Sequence, residues 1–291
     1  MKNFLNTFMD ECAYEKDDKE FLLQSYEKIA NNEEAFKIFN DAIALYNEDT
    51  YKDFNPEIIP MAEKAGEIAD VHIYTSGLLI FMCLAKQLKE LYIKNNISLD
   101  IYHETVLDLR YKLEECKAVR GIVGSFVATW FPGFFALTRF GLGRMQFEVI
   151  KFEKEYSKDG KTLTPGMPVI NVHIPRTGTP LDKESCNAAY QMAKEFFKEE
   201  VPSGAFVCIS WLLYPEHKNI LSPKSNVYRF MSEYDILFSE DYYHGEALWR
   251  LFDTDERNPY RLPTNGSLRK AYVDHLKKGG KTGWAYGVQF R

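Results

Sequence analysis

The sequence predicts an α+β protein: a helical N-terminal domain over residues 1–118, then an α/β domain over residues 119–291. Two observations carry this. Up to residue 116, apolar side chains recur at three- and four-residue spacing, the stripe of helices that bury one face. From Val119 the spacing changes to short alternating runs between Gly, Pro and Asp turns, which reads as strands. No repeat with a period of roughly 20 to 50 residues is present, so a solenoid or propeller is not expected.

Taken in order, the helical periodicity covers residues 20–30, 33–47, 56–92 with a break inside it, and 99–116. Asn32 ahead of Glu33 and Glu34, and Asp100 ahead of Glu104, supply acceptors and negative charge at helix starts. His72 and His103 read as structural. The uncharged stretch 121–137 is broken by Pro132-Gly133 and reads as buried loop and strand. In the strand 144–150, Arg144, Gln146 and Glu148 share one face, and Met145, Phe147 and Val149 the other. Turn residues Asp159-Gly160 and Pro165-Gly166 return the chain. In the second strand, 169–174, Asn171 and His173 share a face. There follow the loop Pro175-Arg176-Thr177-Gly178-Thr179-Pro180, a helix, and a third strand over 205–213. Beyond these, 227–230 and 234–238 alternate as strands, 268–278 is a helix closed by Gly279-Gly280, and 284–290 is the last strand. A loop with Arg, Gly and two Thr before a helix N-terminus is a place for an anion, because free N–H groups and the positive end of the helix dipole meet there.

The bulk properties narrow the partners. An apolar content of 45% supports a real core, and a net charge of −6 without a basic block argues against nucleic acid and anionic membrane. The apolar run 77–85 is too short to span a bilayer, and the N-terminus turns acidic too early for a secretory signal. Cys12, Cys83, Cys116, Cys186 and Cys208 form no CxxC pair, which suits a reducing cytoplasm and offers no zinc site. The expected compartment is cytoplasmic; oligomeric state is left open.

Four segments in order carry a family likeness: Gly143-Arg144-Met145-Gln146-Phe147-Glu148, Val172-His173-Ile174-Pro175, Phe206-Val207-Cys208-Ile209-Ser210-Trp211-Leu212-Leu213, and Leu262-Pro263-Thr264-Asn265-Gly266-Ser267-Leu268. The chain resembles bacterial acyltransferase-domain proteins in which a helical N-acyltransferase domain precedes a GNAT-like domain. The resemblance implies a mixed sheet splayed between two central parallel strands, with acyl-CoA or acetyl-CoA in the opening and its pyrophosphate on the loop before the central helix. On this chain the cosubstrate would touch Ile174, Arg176, Thr177, Gly178, Thr179 and, on the third strand, Ser210, with no metal involved. The loop differs from the superfamily pattern: it has one glycine where two small residues are usual, Pro180 lacks an N–H, and the hydroxyls of Thr177 and Thr179 are the available substitutes.

The implied reaction, acyl (acetyl) transfer to an unidentified amine acceptor by direct attack, needs a base, an oxyanion donor and a proton for the leaving thiolate. His173 is the candidate base, with a structural histidine on a loop carbonyl as the alternative. Glu148 is the second candidate, its alternative being an exposed strand face with a local Arg–Glu pair. Cys186, in the first turn of the central helix, is a position where a thiol can acidify. Tyr228, Tyr234 and Tyr286 are proton donors or core; His217 and Glu216 line the acceptor site or a solvated loop. A catalytically silent acyl-CoA-binding module, or a protein-interaction module on the same fold, is the alternative function.

Overall fold

Residues 78–85 are buried without exception, so one helix is apolar all round and its neighbours must pack around it. The computed structural model describes residues 1–242 and 248–291. Its backbone divides into two units, Met1–Gly141 and Leu142–Arg291. The first unit holds α1 (Lys2–Glu11), α2 (Lys16–Asn31), α3 (Glu33–Ala44), α4 (Ile58–Ile68), the central α5 (Ile73–Lys94), α6 (Leu99–Arg120) and the single-turn α7 (Pro132–Phe135). Helix α1 was not singled out by the periodicity reading. The break expected inside 56–92 falls at residues 69–72, where Asp70 takes a positive φ of 53°. Gly66 is required beside that turn, because a Cβ there would lie 2.4 Å from Ser76 Oγ. His72 is structural, its Nδ1 accepting the Tyr74 amide at 3.1 Å to cap α5. The stretch 121–137 contains no strand; Phe131, Phe134 and Phe135 instead bury around α7, and Tyr46 donates to the Phe135 carbonyl at 2.8 Å.

Strand β1 (Arg139–Leu142) straddles the boundary. The second unit contains β2 (Met145–Lys151), the small hairpin β3 (Tyr156–Lys158) and β4 (Lys161–Leu163), β5 (Pro168–His173), α8 (Lys183–Phe196), β6 (Ala205–Ser210), α9 (His217–Ile220), α10 (Asn226–Ser232), β7 (Asp235–Asp241), α11 (Leu248–Phe252), α12 (Ser267–Lys277) and β8 (Gly283–Phe290). The mixed sheet has the order β1-β2-β5-β6-β8-β7, and β5–β6 is its parallel pair. The alternating reading of 227–230 as a strand is corrected: Ser225 accepts the Tyr228 amide at 3.2 Å and starts α10 there, because an N-cap outweighs two periods of alternation. The third strand likewise ends at Ser210, where a short 3₁₀ turn takes over.

The two faces of the sheet are covered unequally. On one, Phe147 and Phe206 pack against Tyr190 of α8, whose hydroxyl meets that of Tyr234 at 2.5 Å. On the other, Val169, Val207 and Val288 pack with Phe152 and with Leu163 of the β3–β4 hairpin. Lys158 pins that hairpin to Asp235 of β7 at 2.6 Å, beside the Tyr156 hydroxyl on the same carboxylate. The hairpin covers the half of this face nearest the start of β5. Among the described residues, no helix is long and apolar enough to cross a membrane.

Candidate functional site

The register of the sheet places the site. Strand β2 pairs with β5 along its whole length, bringing Gln146 opposite His173 and Glu148 opposite Asn171. Strand β5 pairs with β6 only at Ile170–Phe206 and Asn171–Val207. Beyond those two pairs β6 continues against β8 alone, through Cys208–Gly287 to Ser210–Ala285. The parallel strands therefore part at Asn171, and His173 stands at the mouth of the opening.

Because the side-chain period is two, Gln146, Glu148, Asn171 and His173 lie on one face. There Glu148, Asn171 and His173 form a hydrogen-bonded group. His173 Nε2 lies 2.6 Å from Glu148 Oε1, and Asn171 Nδ2 donates to the same oxygen at 3.1 Å. Glu148 thus takes partners from β5, whereas the Arg144 guanidinium reaches the carbonyls of the loop that follows it. A carboxylate can only accept, so Nε2 carries the shared proton and the imidazole lone pair is on Nδ1. Both groups keep some access to solvent, with side-chain exposures of 20% and 16%. Asn171 Oδ1 is buried and has no hydrogen-bond partner among the described residues, an unmet acceptor beside the pair.

The loop after β5 is held by arginines from two other elements. Gly143, at φ 65°, turns Arg144 out of the strand row, and its guanidinium donates to the carbonyls of Pro175 (3.1 Å), Thr179 (3.1 Å) and Pro180 (3.3 Å). Arg229 of α10 donates to the Leu181 carbonyl at 2.7 Å. Within the loop, the hydroxyls of Thr177 and Thr179 bond each other at 2.7 Å, and the Thr179 amide donates to Thr177 Oγ1 at 3.3 Å. Gly178 takes a φ of 77°, a conformation that favours glycine. The helix that follows is already capped: Asp182 accepts the Ser185 amide at 2.8 Å, and this bond holds its carboxyl below the usual range. One of the free amides at the start of α8 is thus taken. Arg176, the loop's own cation, donates to Asp253 at 2.9 Å, and the same carboxylate also accepts from Arg269.

Other expected positions fall away from this group. Ser210 Oγ accepts the Leu212 amide at 3.2 Å and caps the turn after β6. Cys208 is fully buried beneath it. Cys186 is not acidified: burial pushes its thiol up despite Arg229 nearby, because desolvation of a thiolate outweighs one contact with a cation. His217 is neither solvated nor open to an acceptor. It is buried completely, with Nδ1 on the Leu212 carbonyl at 3.1 Å and Nε2 on the Tyr272 hydroxyl. Tyr234 and Tyr286 are both buried; Tyr286 packs with Val207 and Val288 on the face that carries His173, its hydroxyl pushed up to about 12 by burial. The sequence reading missed the role of Arg144, and Gly143 before it was the available signal.

Family models match both parts of the chain. A family model described as the GNAT-like C-terminal domain matches residues 139–289, and one described as the N-acyltransferase N-terminal domain matches residues 3–137. No curated protein sequence matches the chain. Among solved structures, an acyltransferase mutant in complex with octanoyl-CoA superposes with a TM-score of 0.74 at 18% identity, covering 97% of this chain and 86% of that one. An acyltransferase in complex with decanoyl-CoA and teicoplanin gives 0.65 at 18% identity, with 98% of each chain covered.

Proposed function

The chain belongs to the family that joins an N-acyltransferase N-terminal domain to a GNAT-like C-terminal domain, and from that premise we propose that it transfers an acyl group from a CoA thioester to an amine. The observation that carries the reading is the parting of β5 from β6 at Asn171, with the Glu148–His173 pair at the opening. Past that point the β5 edge facing β6 carries no ladder pairing, so an extended pantetheine arm can hydrogen-bond to it as an added strand does. The solved relatives in complex with octanoyl- and decanoyl-CoA support a CoA ester as the donor.

The pyrophosphate is assigned to the loop 174–179, where Ile174, Gly178 and the Thr177 and Thr179 hydroxyls are within one turn of Arg176. The Arg176–Asp253 contact does not bar this. Arg176 is 40% exposed, and such a pair is worth at most about 1 kcal/mol, so a diphosphate with two negative charges competes for the guanidinium. Asp253 keeps Arg269 as its partner when Arg176 leaves, so no carboxylate is stranded.

The chemistry follows from the pair. The amine nitrogen attacks the thioester carbonyl, a C–N bond forms, and the C–S bond breaks to release CoA. His173 takes the proton of the amine on Nδ1, and Glu148, accepting from Nε2–H, orients the ring and stabilises the imidazolium that results. That proton is then available to the departing thiolate, so no net charge is left behind. No protein nucleophile is needed, in keeping with Cys186 and Cys208 being buried with raised thiols.

The test is release of free thiol from acyl-CoA on adding amines. Acceptor-dependent release by the wild type, lost in His173→Ala while CoA still binds, is the expected result. Thiol release that is independent of every amine, or equal in the variant, overturns the assignment. Saturable CoA binding with no turnover on any amine favours the silent binding module instead.

A further inference from the structure

On the face that carries Glu148 and His173, the β3–β4 hairpin leaves half of the sheet uncovered, and a groove of about 260 Å³ opens there. Its floor is Ile150, Ile209, Phe238, Trp284 and Tyr286, one or two side chains from each of β2, β6, β7 and β8. Ile209 is 51% exposed and Phe238 45%, unusual for large apolar side chains inside strands of a covered sheet. Phe238 packs against Trp284 with ring centroids 5.5 Å apart, closing the far end.

The register ties this groove to the opening. Asn171 pairs with Val207, so the next residues on the same face, His173 and Ile209, stand on either side of the gap. We propose that the groove seats the acyl chain of the CoA thioester and that the preferred chain is longer than acetyl, an inference that rests on the donor reading above. The charged residues that line it, Lys151, Glu153 and Lys154, carry both signs and select for no ion, and the five apolar side chains of the floor suit an uncharged alkyl chain. One water needs roughly 10–15 Å³ of such space, so the groove has room for a chain well beyond acetyl. The thioester carbonyl then lies at His173 and the chain runs across Ile209 towards Trp284.

The test is titration of the full chain with free CoA and with its acetyl, hexanoyl, octanoyl, decanoyl and hexadecanoyl esters. Affinity rises about twofold per methylene, since a half-open groove gives less than the roughly fourfold of complete burial, and it levels off once the groove is full. Octanoyl-CoA then binds on the order of 50-fold tighter than acetyl-CoA. In Ile209→Trp, which fills the groove, and in Ile209→Asp, which makes it polar, the octanoyl-to-acetyl ratio collapses towards one; retained binding of free CoA shows that both variants are folded. Equal wild-type affinities for acetyl- and octanoyl-CoA, or a ratio unchanged in both variants, overturn the groove as the acyl seat while leaving the donor site standing. Binding of none of the esters, free CoA included, overturns the donor reading and this inference with it.

Discussion

His173 and His217 belong to the same domain and both are hydrogen-bonded, yet their surroundings differ, and the proton relay proposed above falls to His173 alone. His217 is buried completely among Trp211, Tyr214 and Tyr272. The Leu212 carbonyl can only accept, so Nδ1 carries the proton and Nε2 accepts from the Tyr272 hydroxyl. Desolvation drives the ring down to about 4 and keeps it neutral. His173 instead stands at a strand end with a carboxylate as partner and partial access to solvent. A carboxylate stabilises the charged ring, whereas a carbonyl and a phenol in an apolar shell do not. The charge and accessibility of the partner separate a relay from a structural histidine; the number of hydrogen bonds does not.

Exchanging the roles by mutation breaks this comparison most sharply. His173→Ala lowers the rate of acyl transfer by about 10²- to 10³-fold with CoA affinity and melting temperature little changed, as loss of a general base does. Steady-state kinetics beside thermal unfolding of the variant checks both halves. His217→Gln does the reverse: it costs about 2 kcal/mol of stability by disturbing a buried network, with the rate per folded molecule retained. Urea unfolding gives the first number and active-site-normalised kinetics the second.

The pH dependence sharpens the same contrast. The folded value of His217 lies below the ordinary 6.5, so its neutral form stabilises the fold fully above about pH 6.5, and that contribution is lost as pH falls towards 4. The loss amounts to about 3 kcal/mol at the acid end, at 1.36 kcal/mol per unit. His217→Gln carries no such titration, so its stability deficit against the wild type shrinks between pH 7 and pH 4.5. A deficit that stays constant contradicts a buried neutral ring.

Smaller effects are expected in the loop beyond His173. Arg144→Ala removes the fork that holds three carbonyls between Pro175 and Pro180, and CoA affinity falls about tenfold because the loop must be ordered on binding. Arg176→Ala removes one exposed phosphate partner and lowers it by about three- to tenfold. Calorimetric titration ranks the two, and a larger loss in Arg176→Ala than in Arg144→Ala contradicts the view that loop order matters more than one cation.

What could be read in advance follows from how local each feature is. The alternation of 144–150 and 169–174 already put Glu148, Asn171 and His173 on polar faces, because side-chain parity in a strand is a local property. Their pairing was not legible. The β3–β4 hairpin lies between the two strands, so turn length does not determine that Glu148 falls opposite Asn171. Arg144 was misread because the positive φ of Gly143 rotates it out of the alternating row. Residues 227–230 looked like a strand because four residues hold too little of either period, and the cap at Ser225 decided for a helix. The groove is drawn from four strands that are distant in sequence, and only the register assembles it.

The most direct test of the account follows the histidine ring resonances by NMR while octanoyl-CoA is added, with His173 and His217 assigned from single substitutions. Saturable shifts are expected at His173 as the thioester enters the opening between β5 and β6, with the resonances of His217 unmoved. Saturable binding that leaves His173 unchanged would place the donor elsewhere and contradict the Glu148–His173 pair as the centre of the reaction.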